Sequence, residues 1–462
     1  MSESILLVIL GILVLIYSFI KSLDYFKDVP DLYLLEQSNH DAVRLQNESP
    51  IYRSNKLETG HIRSGLDIRY NSYKLRSGNL CDIWTILINH LQYNKDYQLT
   101  IEDQSIPFSK INYIVHELIE RIKNKYTCIR IPINHDIDYK WIIVVIAGLI
   151  SQTTIEFYEF DESKENAIDI DALTLAEHGK ELYSYENIYD PIKDKGIAIR
   201  IIRKLNSGIM STIEFTQLNI VSSLASTIKH LPSQSKITTD DSMLIITNHQ
   251  SNEQLMNIIN KFLMGLITHP KLTLSKDISK INSIKPTILS IPENLLPMPL
   301  AASNIFLQFK QWLLSRGIFI KGSNNLRLIY LNNSINQHNP KYNCIEISQL
   351  RTLYQAHIIQ EWGYYNVLGP IILSDYYEYR TFAPGPFGCI CQSLEVKLTH
   401  VDEKRIGIVN IRGYIIGKTA NRVIGRNNMI EDNKDVMGRN DGFMPLRNVR
   451  GKWGNDGCLY IM

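Results

Sequence analysis

From Ile5 to Ile20 the chain reads ILLVILGILVLIYSFI, with no charge and only Gly11, Tyr17 and Ser18 breaking the apolar run. A helix crossing a bilayer needs roughly 20 apolar residues, with about 17 as the lower limit. The run is short for that length but sufficient once Met1 and the flanking residues reach the interface. A cleaved signal peptide would carry a basic leading region and a small-x-small cleavage site, whereas Glu3 is the only early charged side chain. Lys21 and Lys27 follow, and the positive-inside rule then places the rest of the chain in the cytosol. Residues 1–22 are therefore read as an uncleaved single-pass anchor that meets the bilayer through residues 5–20. The endoplasmic reticulum is expected ahead of the mitochondrial outer membrane as its location.

Residues 23–78 are polar with little sustained periodicity and read as a spacer and irregular lead-in. From Asn79 the pattern becomes regular. LCDIWTILINHLQ places its apolar residues on one helical face, YQLTIED alternates as a strand, and PFSKINYIVHELIERIKNK is helical with Ser109 as candidate N-cap. CIRIPI, YKWIIVVIAGLIS and TIEFYEF continue as strand, helix and strand, an alternation that predicts a parallel sheet covered by helices. IAIRII, SMLIIT and LRLIYL read as further strands, with NEQLMNIINKFLMGLI and ISQLRTLYQAHIIQEWG as helices. From about residue 385 to 462 short strands with Gly and Asn turns (LEVKLTHV, RIGIVNIRGYIIGK, CLYIM) predict a small β subdomain. The expected class is α/β, with residues 79–462 as one domain.

Composition narrows this only slightly. Apolar residues are 44% and charged residues 21%, as in a folded globular protein. A net charge of +2 gives no whole-molecule attraction for nucleic acid, which is not an expected partner. Six scattered cysteines without a Cys-x-x-Cys pair fit a reducing compartment, and Cys389 and Cys391 read as buried thiols. His116-Glu117 starts like a zinc-protease helix, but Glu120 stands where the second His is needed. No Gly-x-Ser-x-Gly elbow is present.

The order of these pieces resembles the AMP-forming acyl-CoA synthetases and adenylation domains. The likeness runs from about Asn79 to Met462, through LTIEDQSIPFSKINYIVHELIERI, then Ile129–Asn134 and Ala147-Gly148 in TCIRIPINHDIDYKWIIVVIAGLIS, to PGPFGCICQSLEVKL near the end. It implies an adenylation-type large domain that attaches AMP to a carboxylate and passes the acyl group to a thiol. It also implies three nucleotide elements.

The first is a flexible Ser/Thr/Gly-rich loop with a Lys, followed by a motif that Thr216–Asn219 matches; counting back places the loop at RKLNSGIMST, Arg203–Thr212. The candidate, degenerate nucleotide-binding positions here are Lys204, Ser207, Gly208, Ser211 and Thr216. Gly208 alone aligns with a glycine of that loop, Ser211 replaces the Lys, and Leu205, Ile209 and Met210 are bulky. The second is the motif whose aromatic residue lies near the adenine and whose Glu holds Mg²⁺. Trp362 and Gly363 match it, but Tyr365 replaces its Thr and Asn366 its Glu. The third is the segment whose Asp grips the ribose; DGFMPLRNVRG, Asp441–Gly451, has Leu446, Arg447 and Asn448 there instead.

Strand and turn positions match while phosphate, metal and ribose positions have changed. The resemblance thus implies a catalytically degenerate adenylation domain with no catalytic residue and no metal ligand, serving as a scaffold or a lipid- or partner-binding module. ATP and Mg²⁺ are expected only under the alternative, an active fatty-acid CoA ligase with atypical nucleotide contacts. The closing strand CLYIM follows the turn signal Asn455-Asp456-Gly457. In the resembling enzymes a hinge and a mobile small domain with a Lys that completes adenylation come next. The stop at Met462 is read as a domain edge kept after that half was lost.

Overall fold

The computed structural model describes residues 3–71, 74–123, 125–159, 166–176, 180–187, 196–204, 208–298, 305–322, 324–336, 340–381, 385–423 and 429–462. Among them, two large sheets organise a mixed α/β molecule, in keeping with the class expected from the sequence.

Six strands form the parallel centre of the larger sheet: Gln98–Ile101, Lys271–Ser275, Ser242–Ile246, Ile288–Pro292, Leu328–Ser334 and His357–Gly363. These segments are near-continuous apolar runs because a parallel sheet is covered on both faces. Leu244, Leu289, Ile291, Ile329 and Leu331 are fully or almost fully buried. Beyond His357–Gly363 the sheet turns antiparallel through Pro370–Leu373 and Phe387–Ile390 into the C-terminal β region. The second sheet runs Met429–Asp432, Lys418–Val423, Ile209–Thr216, Ile197–Lys204, Thr154–Tyr158, Cys128–Pro132 and Ala167–Asp169. Helices Gln217–His230 and Asn252–Thr268 pack on each other, and Leu80–Leu91 packs on the latter.

Several expectations change. ISQLRTLYQAHIIQEWG is half helix and half strand: the helix Cys344–Tyr354 ends at Gln355 in the left-handed region, and His357–Gly363 is a strand. The β-branched pair Ile358-Ile359 suits the pleated sheet, and a helical period had masked it. The helix Phe108–Ile122 starts after Pro107, so Ser109 is a buried residue of its first turn and not the cap. Ser38–His40 and Tyr52–Ser54, within the stretch read as a lead-in, extend the larger sheet beside Leu394–Thr399. The CLYIM segment is a strand as expected, and Leu459–Ile461 pairs with both Phe387–Ile390 and Met444–Trp453.

At the N-terminus, Glu3–Leu23 is one helix. Among the described residues, Leu7–Phe26 is the stretch long and apolar enough to cross a membrane, and only 6% of its window is buried against the protein. The other apolar helices, Leu80–Leu91 and Tyr139–Ser151, are too short to span and are buried in the core.

Candidate nucleotide site

The stretch expected as a phosphate loop is a hairpin. Ile197–Lys204 and Ile209–Thr216 pair antiparallel in unbroken register from Ile199↔Phe215 to Lys204↔Met210. Gly208 turns the chain at φ 71°, a conformation that suits glycine because it has no Cβ. On its other edge Ile209–Thr216 pairs with Lys418–Val423, from Ile209↔Val423 to Glu214↔Lys418. The amides of Ile209–Glu214 therefore face partner strands on both sides. A phosphate cradle needs the opposite, a run of N–H groups free to converge on an anion.

Side chains follow the same pattern. Ser211 is buried and held between Arg203 and Asn421. Arg203 pairs with Glu159 at 3.4 Å, and the Lys204 amide donates to the same carboxylate at 3.1 Å. Thr216 caps the helix Gln217–His230: its Oγ1 accepts from Asn219 N at 3.3 Å, and Thr216 N donates to Asn219 Oδ1 at 2.7 Å. At roughly 3.3 Å per residue, Thr216 lies about 25 Å along the strand from the turn. Ser207 lies outside the described residues.

The aromatic motif does meet the second sheet. Trp362 and Gly363 end the strand His357–Gly363, both buried. The turn after them is locked by Leu368 N to Ile415 O at 2.9 Å and Gly417 N to Asn366 O at 2.9 Å. Asn366 Nδ2 donates to Thr419 Oγ1 at 2.8 Å and contacts Met444 Sδ at 3.4 Å. Between these groups lies a cavity of about 60 Å³, walled by Tyr365, Asn366, Thr419, Asn421, Asn433 and Arg447 among others. Small-molecule sites run to roughly 300–1,000 Å³, so this one is too small for a nucleotide.

Its polar lining combines amide and hydroxyl side chains with Arg447. The Oδ1 atoms of Asn366 and Asn421 are buried without a hydrogen-bond partner. Among the described residues, no carboxylate lines the cavity. Magnesium sites are usually built with one or two carboxylates, so the residues present do not fit that ion. Arg447 occupies the wall where the resemblance places the ribose-binding Asp, and its N–H donates to Tyr364 Oη at 3.0 Å. Asp456, the next carboxylate along, is committed to Arg380 and Tyr460, each at 2.7 Å.

A scan of the chain against protein-family models gives no match. Among curated proteins, the uncharacterized protein YHR045W of Saccharomyces cerevisiae is similar, 24% identical over 563 aligned positions covering 99% of this chain and 98% of the relative. Among solved structures, VinN in complex with L-aspartate superimposes with a TM-score of 0.55 at 11% identity, over 87% of this chain and 99% of VinN. O-succinylbenzoate CoA synthetase (MenE) from Bacillus subtilis, solved with ATP and magnesium ion, gives 0.51 at 14% identity over 81% of this chain and 78% of MenE. A luciferase-like enzyme from the mealworm Zophobas morio gives 0.52 at 10% identity, over 87% and 98%.

This chain has the adenylation fold.

Tyr365 and Asn366 of the aromatic motif share the cavity with Met444, Pro445 and Arg447 of the segment Asp441–Gly451. Lys204, Gly208, Ser211 and Thr216, the other described candidates from the loop and the motif after it, do not line this cavity. Thr419, Asn421 and Asn433, which complete the walls, belong to no motif, and their role depends on strand register.

A buried charge pair was also missed. Lys261, fully buried on the helix Asn252–Thr268, bonds Glu361 of the strand that carries Trp362, and its Nζ lies 3.6 Å from the Tyr330 ring centroid. Asn257 Nδ2 donates to the same carboxylate at 2.9 Å. Burial pushes the ammonium pKa down, and Glu361 opposes it. On a helical wheel Lys261 sits among apolar neighbours, which was the available signal.

A separate cavity of about 390 Å³ opens between the helices Leu80–Leu91 and Phe108–Ile122, the end of Tyr139–Ser151 and residues 180–187. Trp84, Val115, Ile119 and Ile150 give it apolar walls, and Glu120 and Lys123 line it as well. Its size falls within the small-molecule range.

Proposed function

We propose that the chain is a membrane-tethered binding module built on the adenylation fold, and not a ligase. The observation that carries this reading is the double pairing of Ile209–Thr216, which consumes the amides an adenylating enzyme would turn toward phosphate. The 60 Å³ cavity beside Asn366, lined by no carboxylate among the described residues, supports it. The 390 Å³ cavity at Trp84 offers the module a pocket for an amphipathic ligand. The apolar helix Glu3–Leu23 supports the tether, with the bulk cytosolic and the endoplasmic reticulum as the membrane.

ATP–pyrophosphate exchange by the detergent-solubilised chain, run over a panel of carboxylic acids, tests the reading. No exchange above a protein-free control is expected. Exchange that Asn366→Ala abolishes would establish an active ligase instead.

A further inference from the structure

The chain leaves the apolar N-terminal helix at Leu23 and within a few residues joins a second apolar element. Asp28 N donates to Gly317 O at 3.0 Å, and Asp28 Oδ2 accepts from Phe319 N at 3.1 Å and Tyr379 Oη at 2.8 Å. The Lys27 stem lies 3.6 Å from where a Cβ on Gly317 would stand. These bonds fix the end of the helix Ile305–Ser315 against the foot of the N-terminal helix.

That helix is apolar on more sides than the protein covers. Leu313 and Leu314 are buried, and the helix packs on Cys344–Tyr354. In contrast, Ile305 is 85% exposed, Phe306 59% and Phe309 44%. Trp312 stacks on Phe309 with centroids 5.8 Å apart. At the foot itself Tyr25 is 90% exposed and Phe26 68%. Cations are interleaved: Lys310 Nζ lies 4.8 Å from the Phe306 centroid, and the Arg316 guanidinium 5.7 Å from that of Trp312. Water penalises such a surface, and an aromatic and basic rim beside an apolar span is the composition of a membrane interface.

We propose that the helix Ile305–Ser315 is a second membrane contact, lying in the headgroup plane with Phe306, Phe309 and Trp312 inserted beside the N-terminal span. The bilayer is the occupant because the patch is continuous with the foot of that span. Any surface bonded there must lie at the level where the span enters the membrane. This inference rests on the reading of Glu3–Leu23 as an anchor. Its consequence is orientation: two contacts fix which face of the domain looks at the membrane, where one tether would let it swivel.

The test uses the full chain in phosphatidylcholine–phosphatidylserine vesicles, with or without bromine on the acyl chains just below the headgroups. Trp84, Trp141 and Trp362 are buried, and of the half-buried Trp312 and Trp453 it is Trp312 that lies on the proposed contact, so it is the indole the bromine is expected to reach. Brominated lipid is expected to quench part of the emission, and Trp312→Phe to remove that quenched part while circular dichroism stays unchanged. Quenching that survives Trp312→Phe, or none in the parent chain, would overturn the proposal. Alkaline carbonate extraction separates the two readings. A chain retained by the vesicles but unquenched keeps the anchor and loses this inference; a chain released by carbonate loses both.

Discussion

Lys261 and Glu361 put a charge pair in the buried interior, and such a pair stabilises only while both members are present. Lys261→Met alone leaves a buried carboxylate and is expected to cost about 3–5 kcal/mol in urea unfolding. The double variant Lys261→Met with Glu361→Leu is expected to recover most of that loss. A second residue-scale consequence concerns acid. Burial holds His230 and His357 down at about 3 and His269 at about 4; a neighbouring cation (Lys56, Arg351) adds to the effect at the first two, and His90 adds at His269. Each is neutral in the fold but takes up a proton in the unfolded chain below about 6.5. The unfolded state therefore binds more protons between those values, so stability is full above about 6.5 and falls as pH drops toward 3. Unfolding free energies measured in steps through that window should fall with pH, and His357→Gln should make the slope shallower. An unchanged slope would show that His357 is not held neutral.

At the element scale, long periodic segments were legible and short junctions were not. Tyr139–Ser151 and Asn252–Thr268 follow from their apolar spacing, and the parallel strands from their β-branched runs. The hairpin at Gly208 was not legible, because register with Lys418–Val423 comes from a segment some two hundred residues away in sequence. The site was half legible for the same reason. Asn366 and Arg447 sit in recognisable motifs, whereas Asn421 and Asn433 reach the cavity only through strand pairing. Thr216 illustrates how one residue type serves two purposes: the sequence suggested a phosphate neighbour, and the fold uses it as a helix cap. Thr216→Ala is expected to lower stability by roughly 0.5–2 kcal/mol, the worth of an N-cap. Its response to ATP in a thermal shift should match that of the parent chain, and a lost ATP response would restore the phosphate role.

For the whole molecule, the reading we propose joins the adenylation fold, its nucleotide region closed, to a membrane tether supplied by the apolar helix Glu3–Leu23. Removing residues 1–22 is expected to shift most of the protein from the membrane to the soluble fraction, as read by imaging beside the full chain. An unchanged distribution would place the membrane attachment elsewhere. The closed nucleotide region is the central claim, and a calorimetric titration of the detergent-solubilised full chain with ATP and Mg²⁺ tests it most directly. The account predicts no saturable heat above dilution, because the amides of Ile209–Glu214 are paired on both edges and, among the described residues, no carboxylate lines the cavity. Saturable binding that weakens in Asn366→Ala would contradict it.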